Sequence, residues 1–293
     1  MPTLRELKTR IGTVKSTEKM TGAMKMISSA KVHQHEQRLK QLQPYRQKLT
    51  KIMGHILGAD QDFQSPLIER REVRVAAFVV FGSDNGLCGA YNMNVFKGLL
   101  QHLDECRRNY PGVHIKVYPV GEKIAKAVSQ LEDVEVIVPQ GVIANMSAEQ
   151  VQKFTDSLRS QFIGGETDMV EVLYMKFKNI ARQTLTLDPL FPVNADKLTD
   201  GTAEPKDENQ LYIFEPDANS IFNEVLPMFV LSTMQEITIE NQASEQAARM
   251  IAMQTANDNA QELLGQLQLE YNKLRQQSIT AELLDLLGGQ VER

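Results

Sequence analysis

The placement of proline constrains this 293-residue chain more than any other feature of its sequence. Eleven prolines are present, but none lies between Pro2 and Pro44, and none follows Pro227. Proline removes a backbone donor and clashes with the preceding helical turn, so windows without it favour long helices. The two windows predict a long helix at each end of the chain and a different kind of structure between them.

The N-terminal window carries a helix start and an apolar stripe. Thr3 can cap the helix, and Glu6 completes a capping box three residues later. Apolar residues follow at coiled-coil spacing, and the stripe is expected to shift phase farther along the helix. The first stripe is Leu4, Leu7, Ile11 and Val14, and the shifted stripe is Met20, Met24 and Ile27.

The C-terminal window is longer, and Asp217 or Asn219 can cap its helix. Its predicted seam is Ala260, Leu264, Leu267, Tyr271 and Leu274, with Gln254, Asn257 and Ser278 as polar members. About sixty helical residues would span roughly 90 Å, whereas a globule of this size has a radius of gyration near ~19 Å. A helix of that length must protrude from the globule. The terminal helices are therefore expected to cover their apolar stripes by packing against each other, antiparallel.

The middle of the chain alternates strand and helix patterns. Strands are predicted at 73–81, 113–120, 134–138, 169–177 and 211–214, with a further one near 184–187, and helices at 91–108, 121–131 and 147–163. This alternation predicts a mostly parallel, Rossmann-like α/β domain. The fold class is thus α/β plus coiled coil, divided into an N-terminal helix (1–58), a central domain (70–215) and a C-terminal helix (217–293).

Composition and charge exclude several classes of protein. Two cysteines are too few for a disulfide framework or a four-cysteine metal site. The longest apolar run, Val75–Phe81, is far below the ~20 residues that a membrane span needs. Residues 1–50 hold 11 Lys and Arg against three acids, which suits nucleic acid, an acidic lipid surface or an acidic protein partner. Tyr45 is the only aromatic residue there, so base stacking is poorly supplied.

The sharpest local signal is the glycine-rich loop after the first predicted strand. Gly82, Gly86 and Gly89 precede a helix and could cradle phosphate, but their spacing is neither the dinucleotide fingerprint nor the phosphate loop. A tight turn packed on a neighbouring element is the favoured interpretation. Cys88 has no local histidine as a base, and His33 and His35 face different sides of a helix, so no catalytic centre is predicted.

Three segments resemble the γ subunits of bacterial F-type ATP synthases, and the resemblance runs nearly end to end. They are Lys19–Lys31 (KMTGAMKMISSAK), Ser83–Asn92 (SDNGLCGAYN), and Ala243–Met250 (ASEQAARM) with Tyr271-Asn272-Lys273, Arg275-Gln276, Ile279-Thr280 and Glu282 downstream. The resemblance implies a non-catalytic central-stalk rotor that couples proton flow through the membrane sector to ATP synthesis or hydrolysis in a hexamer of α and β subunits.

The same resemblance implies partners and site residues. The partners would be α, β, ε and the c-ring, at the cytoplasmic face of the bacterial inner membrane, with no membrane span, nucleic acid, metal or cofactor. Contacts with the hexamer would involve Met24, Lys25, Arg249, Arg275, Gln276, Thr280 and Glu282. The foot loop that touches ε or the c-ring would be Ser83, Asp84, Asn85, Gly86, Leu87, Cys88 and Gly89. A nucleotide-dependent enzyme and a static coiled-coil scaffold are the alternatives.

Overall fold

A computed structural model describes residues 3–57, 63–139, 141–194 and 215–288. The elements are α1 (Leu4–Leu57), β1 (Val75–Phe81), α2 (Tyr91–Asn109), β2 (His114–Val120), α3 (Glu122–Val128), β3 (Glu135–Val136), α4 (Ala148–Ile163), β4 (Met169–Asn179), β5 (Arg182–Phe191) and α5 (Ala218–Gly288). The strand predicted at 211–214 lies outside the described residues. The other predicted elements are present, with shifted boundaries.

Both terminal helices start at predicted caps. Glu6 N donates to Thr3 Oγ1 at 3.2 Å, and Thr3 N donates to Glu6 Oε2 at 2.8 Å, which completes the capping box. At the start of α5, Asp217 is the cap, because its Oδ1 accepts a hydrogen bond from Ser220 N at 2.8 Å. The sequence therefore locates the beginning of each helix.

The terminal helices extend farther than the proline-free windows predict. Pro44 lies inside α1 and Pro227 lies inside α5, which has 71 residues. An internal proline costs roughly 3 kcal/mol relative to alanine. Nearby apolar residues are buried, among them Leu49 in α1 and Leu226 in α5. Tertiary packing, rather than local propensity, carries both helices through their prolines.

The sheet has five strands in the order β3-β2-β1-β4-β5. The pairs β1–β2, β1–β4 and β2–β3 are parallel, and β4–β5 is an antiparallel hairpin. Asn179 shapes the hairpin turn, since its Oδ1 accepts from Ala181 N at 3.0 Å and from Arg182 N at 2.8 Å. The predicted fold class, an α/β sheet with long terminal helices, is confirmed.

The central strand β1 divides the core into two layers. Ala77, Val79 and Phe81 face one layer, which contains α4, the C-terminal part of α1 and the N-terminal part of α5. Ala76, Phe78 and Val80 face the other layer, which contains α2 and α3. Because both faces of β1 are covered, its sequence is a continuous apolar run rather than an alternating one.

The chain forms two compact units. The sheet unit is Ala30–Ala248, and the terminal unit combines Met1–Ser29 with Arg249–Arg293. Within the terminal unit the two helices run antiparallel: the Thr21 hydroxyl donates to Asn257 Oδ1 at 3.4 Å, and Gln261 Nε2 donates to Glu18 Oε1 at 3.3 Å. The division into 1–58, 70–215 and 217–293 remains a prediction.

The seam of α5 is confirmed, and that of α1 needs a correction. On α5, Ala260 and Leu267 are buried, and the other predicted seam positions are half-buried. On α1 the predicted phase shift is wrong, because Met20 and Ile27 are exposed and Met24 alone of the shifted stripe is half-buried. The seam instead keeps its heptad spacing through polar residues. Its least exposed positions are Leu7, Ile11, Val14, Glu18, Thr21, Lys25, Ser28, Val32 and His35. Packing against the partner helix sets the heptad spacing of the seam, so the seam continues through polar as well as apolar residues.

Candidate functional site

The loop after β1 is closed by its own hydrogen bonds. Asn92, in the first turn of α2, accepts from Ser83 N at 3.0 Å through Oδ1 and donates to Ser83 Oγ at 2.7 Å through Nδ2. The same Nδ2 lies 3.4 Å from Cys88 Sγ, and Ser83 Oγ donates to the Asn85 carbonyl at 2.8 Å. Ser83 and Cys88 are buried. These groups stabilise a tight turn, as the favoured interpretation predicts.

Two residues fasten this loop to the edge of the sheet. At Gly82 a Cβ would come within 2.5 Å of Ile124 Cβ, so a larger residue would displace α3. Asp84 Oδ1 accepts from Ala144 N at 3.0 Å and from Glu122 N at 3.4 Å. One carboxylate therefore joins the loop after β1 to the start of α3 and to the segment before α4.

The tip of the loop faces outward. Asn85, Leu87 and Gly89 are exposed, and Gly86 is half-buried. Leu87 is 60% exposed and has a φ of 65°, in the left-handed region that residues with a Cβ rarely adopt. An exposed leucine held in this conformation is a candidate contact residue, since backbone strain concentrates at functional sites. The predicted foot loop thus divides into an inner, shape-determining part and an exposed tip.

Helix α5 crosses the sheet where doubly wound folds bind nucleotides. β2 and β4 flank β1, so the carboxyl ends of β1 and β4 form the topological switch point. Asn241 is fully buried there: its Nδ2 donates to the Gly82 carbonyl at 3.1 Å, and its Oδ1 accepts from the Tyr91 hydroxyl at 2.6 Å. A side chain of this protein occupies the position that the nucleotide-dependent alternative would require for its ligand.

Two neighbours of Asn241 also bind backbone groups of the sheet unit. Ser244 Oγ donates to the Met175 carbonyl in β4 at 2.7 Å, and Gln242 Nε2 donates to the Ala144 carbonyl at 3.1 Å. Residues 240–247 are all buried, on every side of the helix. Sequence reasoning used part of this segment only as a family signature. Its available signal was a turn of small and amide side chains without apolar periodicity.

The sequence analysis also did not predict a cluster of buried and half-buried ionisable groups. Arg46 of α1 forms an ion pair with Glu236 of α5, and the Tyr174 hydroxyl donates to Asp188 Oδ2 at 2.9 Å. Burial raises the pKa of Glu240, and burial together with the nearby carboxyls of Glu240 and Asp188 raises the pKa of Tyr174. Burial lowers the pKa of Arg46. Arg46, one of the basic residues counted in 1–50, therefore belongs to a partly buried network rather than to a fully solvated helix face.

The described residues offer little for catalysis. Burial raises the pKa of the Cys106 thiol to about 11, which opposes its use as a nucleophile. The described ranges contain no group of three or more His, Cys, Asp or Glu side chains placed to hold a metal ion. Within those same ranges, no helix is both long and apolar enough to cross a membrane.

The seven predicted hexamer-contact residues all lie in the terminal unit. Met24 and Lys25 are half-buried on α1, and Arg249 is buried. The other four are exposed on α5: Arg275, Gln276, Thr280 and Glu282. The Thr280 hydroxyl donates to the Gln276 carbonyl at 2.9 Å. Four of the seven side chains are thus available to a partner, while Arg249 can act only through the packing around it.

The terminal unit also exposes large apolar side chains on both helices. On α1 these are Met20, Met26 and Ile27, and on α5 they are Ile251, Leu263, Leu269, Ile279, Leu283 and Leu284. Met26 is 68% exposed and Leu269 is 74% exposed. We call these nine residues the exposed apolar set. Sequence reasoning assigned Met20 and Ile27 to the seam and did not consider Met26, because the α1 seam was predicted out of register.

Comparison with known proteins gives consistent matches along the whole chain. The family model described as ATP synthase matches residues 3–291. The ATP synthase gamma chain of Bacteroides thetaiotaomicron is 38% identical over 299 residues, covering 100% of both chains. That of Ralstonia nicotianae is 34% identical over 288 residues, covering 97% of both.

A solved structure has the same fold. It is the OSCP/F1/c-ring part of the Euglena gracilis mitochondrial ATP synthase in rotational state 3, one chain of which matches with a TM-score of 0.61 at 21% identity. The match covers 98% of this chain and 93% of that chain.

Proposed function

The chain belongs to the family of ATP synthase gamma chains, and we propose that its terminal unit turns inside the hexamer of α and β subunits. It is a central-stalk rotor subunit that couples proton flow to ATP synthesis or hydrolysis, and it is not itself catalytic. The observation that carries the placement is the exposed apolar set, because a coiled coil that leaves such side chains outside its seam needs a surrounding partner.

The proposed mechanism relies on the different faces of the terminal unit. α1 presents Lys19 beside exposed methionines, whereas α5 presents glutamine and leucine. Each β subunit would meet a different face at a given rotor angle, so rotation would shift the conformational populations of the three sites in turn. Contacts between the basic residues of 1–50 and acidic loops of β would be individually weak, since exposed ion pairs contribute ~0–1 kcal/mol each.

The site residues take distinct parts in this proposal. Met24 and Lys25 would meet acidic loops of β, and Arg275, Gln276, Thr280 and Glu282 would meet β nearer the C-terminus of α5. Arg249 would act indirectly, because its side chain is buried in the chain itself. Asn85 and Leu87, at the exposed tip of the foot loop, would contact ε or the c-ring. The complex would place the chain at the cytoplasmic face of the bacterial inner membrane.

The test is copurification from membranes with an affinity-tagged full-length chain in mild detergent. We expect α, β, ε and c to be recovered with the wild type. The double variant Met26→Glu/Ile27→Glu should lose α and β, because it places two charges in the proposed hexamer contact. Met93→Glu is the matched control, since Met93 is an exposed methionine in the sheet unit. Equal recovery of α and β with both variants would contradict the proposal.

The foot loop can be tested in the same membranes. Cys88 and Cys106 are buried, so a cysteine introduced by Leu87→Cys would be the most accessible described thiol. Crosslinking from position 87 to ε or c would support the assignment, and crosslinking to β alone would overturn it. The enzyme alternative predicts stoichiometric ATP binding to the purified chain. The scaffold alternative predicts that proton pumping survives a crosslink between β and the part of α5 before Ile279; a crosslink at 279–287 does not discriminate, because the end of the helix can swivel.

A further inference from the structure

Three side chains on one turn of α5 hold the helix to the sheet unit through hydrogen bonds to fixed backbone carbonyls. Asn241 Nδ2 donates to Gly82 O at 3.1 Å, Gln242 Nε2 to Ala144 O at 3.1 Å, and Ser244 Oγ to Met175 O at 2.7 Å. We call these three residues the polar joint. Their acceptors lie at the end of β1, before α4 and in β4, so three separate segments hold one turn.

The polar joint differs from the apolar contacts that α5 makes within the sheet unit. N-terminal to the joint, the buried face of α5 is largely apolar and joins the main core layer: Phe222, Leu226, Val230, Met234 and Ile237. Apolar burial keeps this face of α5 on the sheet, but it is non-directional and does not by itself require one exact angle or register. Hydrogen bonds depend on angle as well as distance, so they define both the axial register and the rotational angle of a helix.

Slippage at the polar joint would be costly because its groups are buried. Asn241 and Ser244 are fully buried, and Gln242 is nearly so. Rotation of α5 by one residue, about 100°, would move all three donors away from their acceptors. Buried donors without acceptors cost far more than the exchange of one apolar contact for another. The Tyr91 hydroxyl, which donates to Asn241 Oδ1 at 2.6 Å, fixes the orientation of the Asn241 amide.

We propose that the polar joint is the torque-bearing contact of this rotor, with Asn241 as its central positioning residue. α5 is one continuous helix from the sheet unit to the terminal unit, so an angle fixed at residues 241–244 is transmitted along it. Rotation imposed on the sheet unit then turns the helix without slip, and the reverse holds during ATP hydrolysis. The inference rests on the proposed rotor function and adds to it the place where torque enters the helix.

The experiment uses the assembled ATP synthase in inverted membrane vesicles and compares ATP hydrolysis with ATP-driven proton pumping. Asn241→Leu keeps the number of side-chain heavy atoms and removes the side-chain hydrogen bonds, and Tyr91→Phe removes only the hydroxyl that orients the Asn241 amide. Asn223→Ala is the control, because Asn223 Nδ2 also donates from α5 to a loop carbonyl, that of Gln64 at 3.2 Å, but at the surface.

We expect hydrolysis to persist in both variants while pumping per ATP falls about fivefold in Asn241→Leu, as the loss of buried hydrogen bonds populates slipped registers. A smaller fall is expected in Tyr91→Phe and none in Asn223→Ala. An unchanged ratio of pumping to ATP hydrolysis in Asn241→Leu, or an equal fall in the control, would overturn the proposal that the polar joint bears torque. If Asn241→Leu does not assemble, Tyr91→Phe decides by the same ratio. Failure of the rotor function itself would appear differently, as a wild-type chain that does not copurify with α and β.

Discussion

The sheet unit and the terminal unit use the same helix in opposite ways. In the sheet unit, α5 is buried on every side from 240 to 247. In the terminal unit, one stripe of α5 faces α1, and residues such as Leu269 and Leu284 face solvent. A helix enclosed by its own chain obtains its stability from that chain. A helix that exposes large apolar side chains obtains part of its stability from a partner that covers them.

Polar groups show the same difference. In the sheet unit, Asn241 and Ser244 bind backbone carbonyls that cannot move independently of the sheet. In the terminal unit, the polar seam contacts join side chains to each other, as in Thr21 with Asn257 at 3.4 Å. Contacts of the first kind hold one geometry, whereas long contacts between side chains leave a seam that can adjust as its surroundings change. Rigidity is thus concentrated where the chain must transmit rotation.

The largest expected effect separates the cores of the two units. Phe222→Ala removes a fully buried ring from α5 in the sheet unit and should lower the free energy of unfolding by about 3–5 kcal/mol. Leu269→Ala removes an exposed side chain from the same helix and should change it by less than about 0.5 kcal/mol. Urea unfolding of the purified chain measures both. Similar losses would mean that Leu269 is already covered in the free chain, against the comparison.

Two glycine substitutions should change the stability of the fold in opposite directions. Gly82→Ala places a Cβ 2.5 Å from that of the buried, β-branched Ile124, and overpacking of this kind costs about 1–3 kcal/mol. Gly265→Ala, in the part of α5 that belongs to the terminal unit, meets nothing within 4 Å and should stabilise the helix by up to ~1 kcal/mol. Thermal unfolding monitored by circular dichroism would test the pair. Stabilisation by Gly82→Ala would show that the packing between the carboxyl end of β1 and α3 is loose.

The smallest expected effect concerns a buried histidine on the α1 seam. Burial, with Arg38 and Lys31 nearby, lowers the pKa of His35 from 6.5 to about 4, and its Nδ1 has no hydrogen-bond partner among the described residues. The neutral ring is therefore favoured in the fold. Because the folded pKa is the lower one, this contribution to stability is present above pH 6.5 and is lost as the pH falls toward 4.

The substitution His35→Leu isolates that effect. It should raise the free energy of unfolding by about 1 kcal/mol, because a buried nitrogen without a partner is removed. It should also reduce the loss of stability between pH 6.5 and 4, as measured by urea unfolding across that range. His33→Leu is the control, since His33 is exposed on the same helix. An unchanged pH dependence in His35→Leu would show that the ring is solvated in the fold.

Most of the fold was predictable because its signals are local. Thr3 with Glu6, and Asp217 with Ser220, are caps that lie within four residues of their partners. The seam from Ala260 to Leu274 repeats within a single helix, so its period can be counted along the sequence. The candidate site was less predictable: the foot loop was recognised, but its exposed tip and buried interior were not distinguished.

The misassigned residues are those whose neighbours lie far away in the sequence. By polarity alone, Met20 is the better seam residue and Thr21 the worse one. Thr21 is nevertheless buried, because the opposite helix places Asn257 beside it, and Met20 is exposed. Arg46 is one of the basic residues counted in 1–50, but it forms an ion pair with Glu236, which lies far away in the sequence.

The sequence by itself determined two long terminal helices, a mostly parallel sheet inserted between them and the family to which the chain belongs. Helical periodicity, caps and strand patterns are encoded within windows of a few residues to a few turns. Only the tertiary structure decided that Asn241 fills the crevice at the switch point, because Gly82 and Tyr91 are at least 150 residues away along the chain. Burial and hydrogen bonding depend on such distant segments meeting, and no local pattern records that meeting.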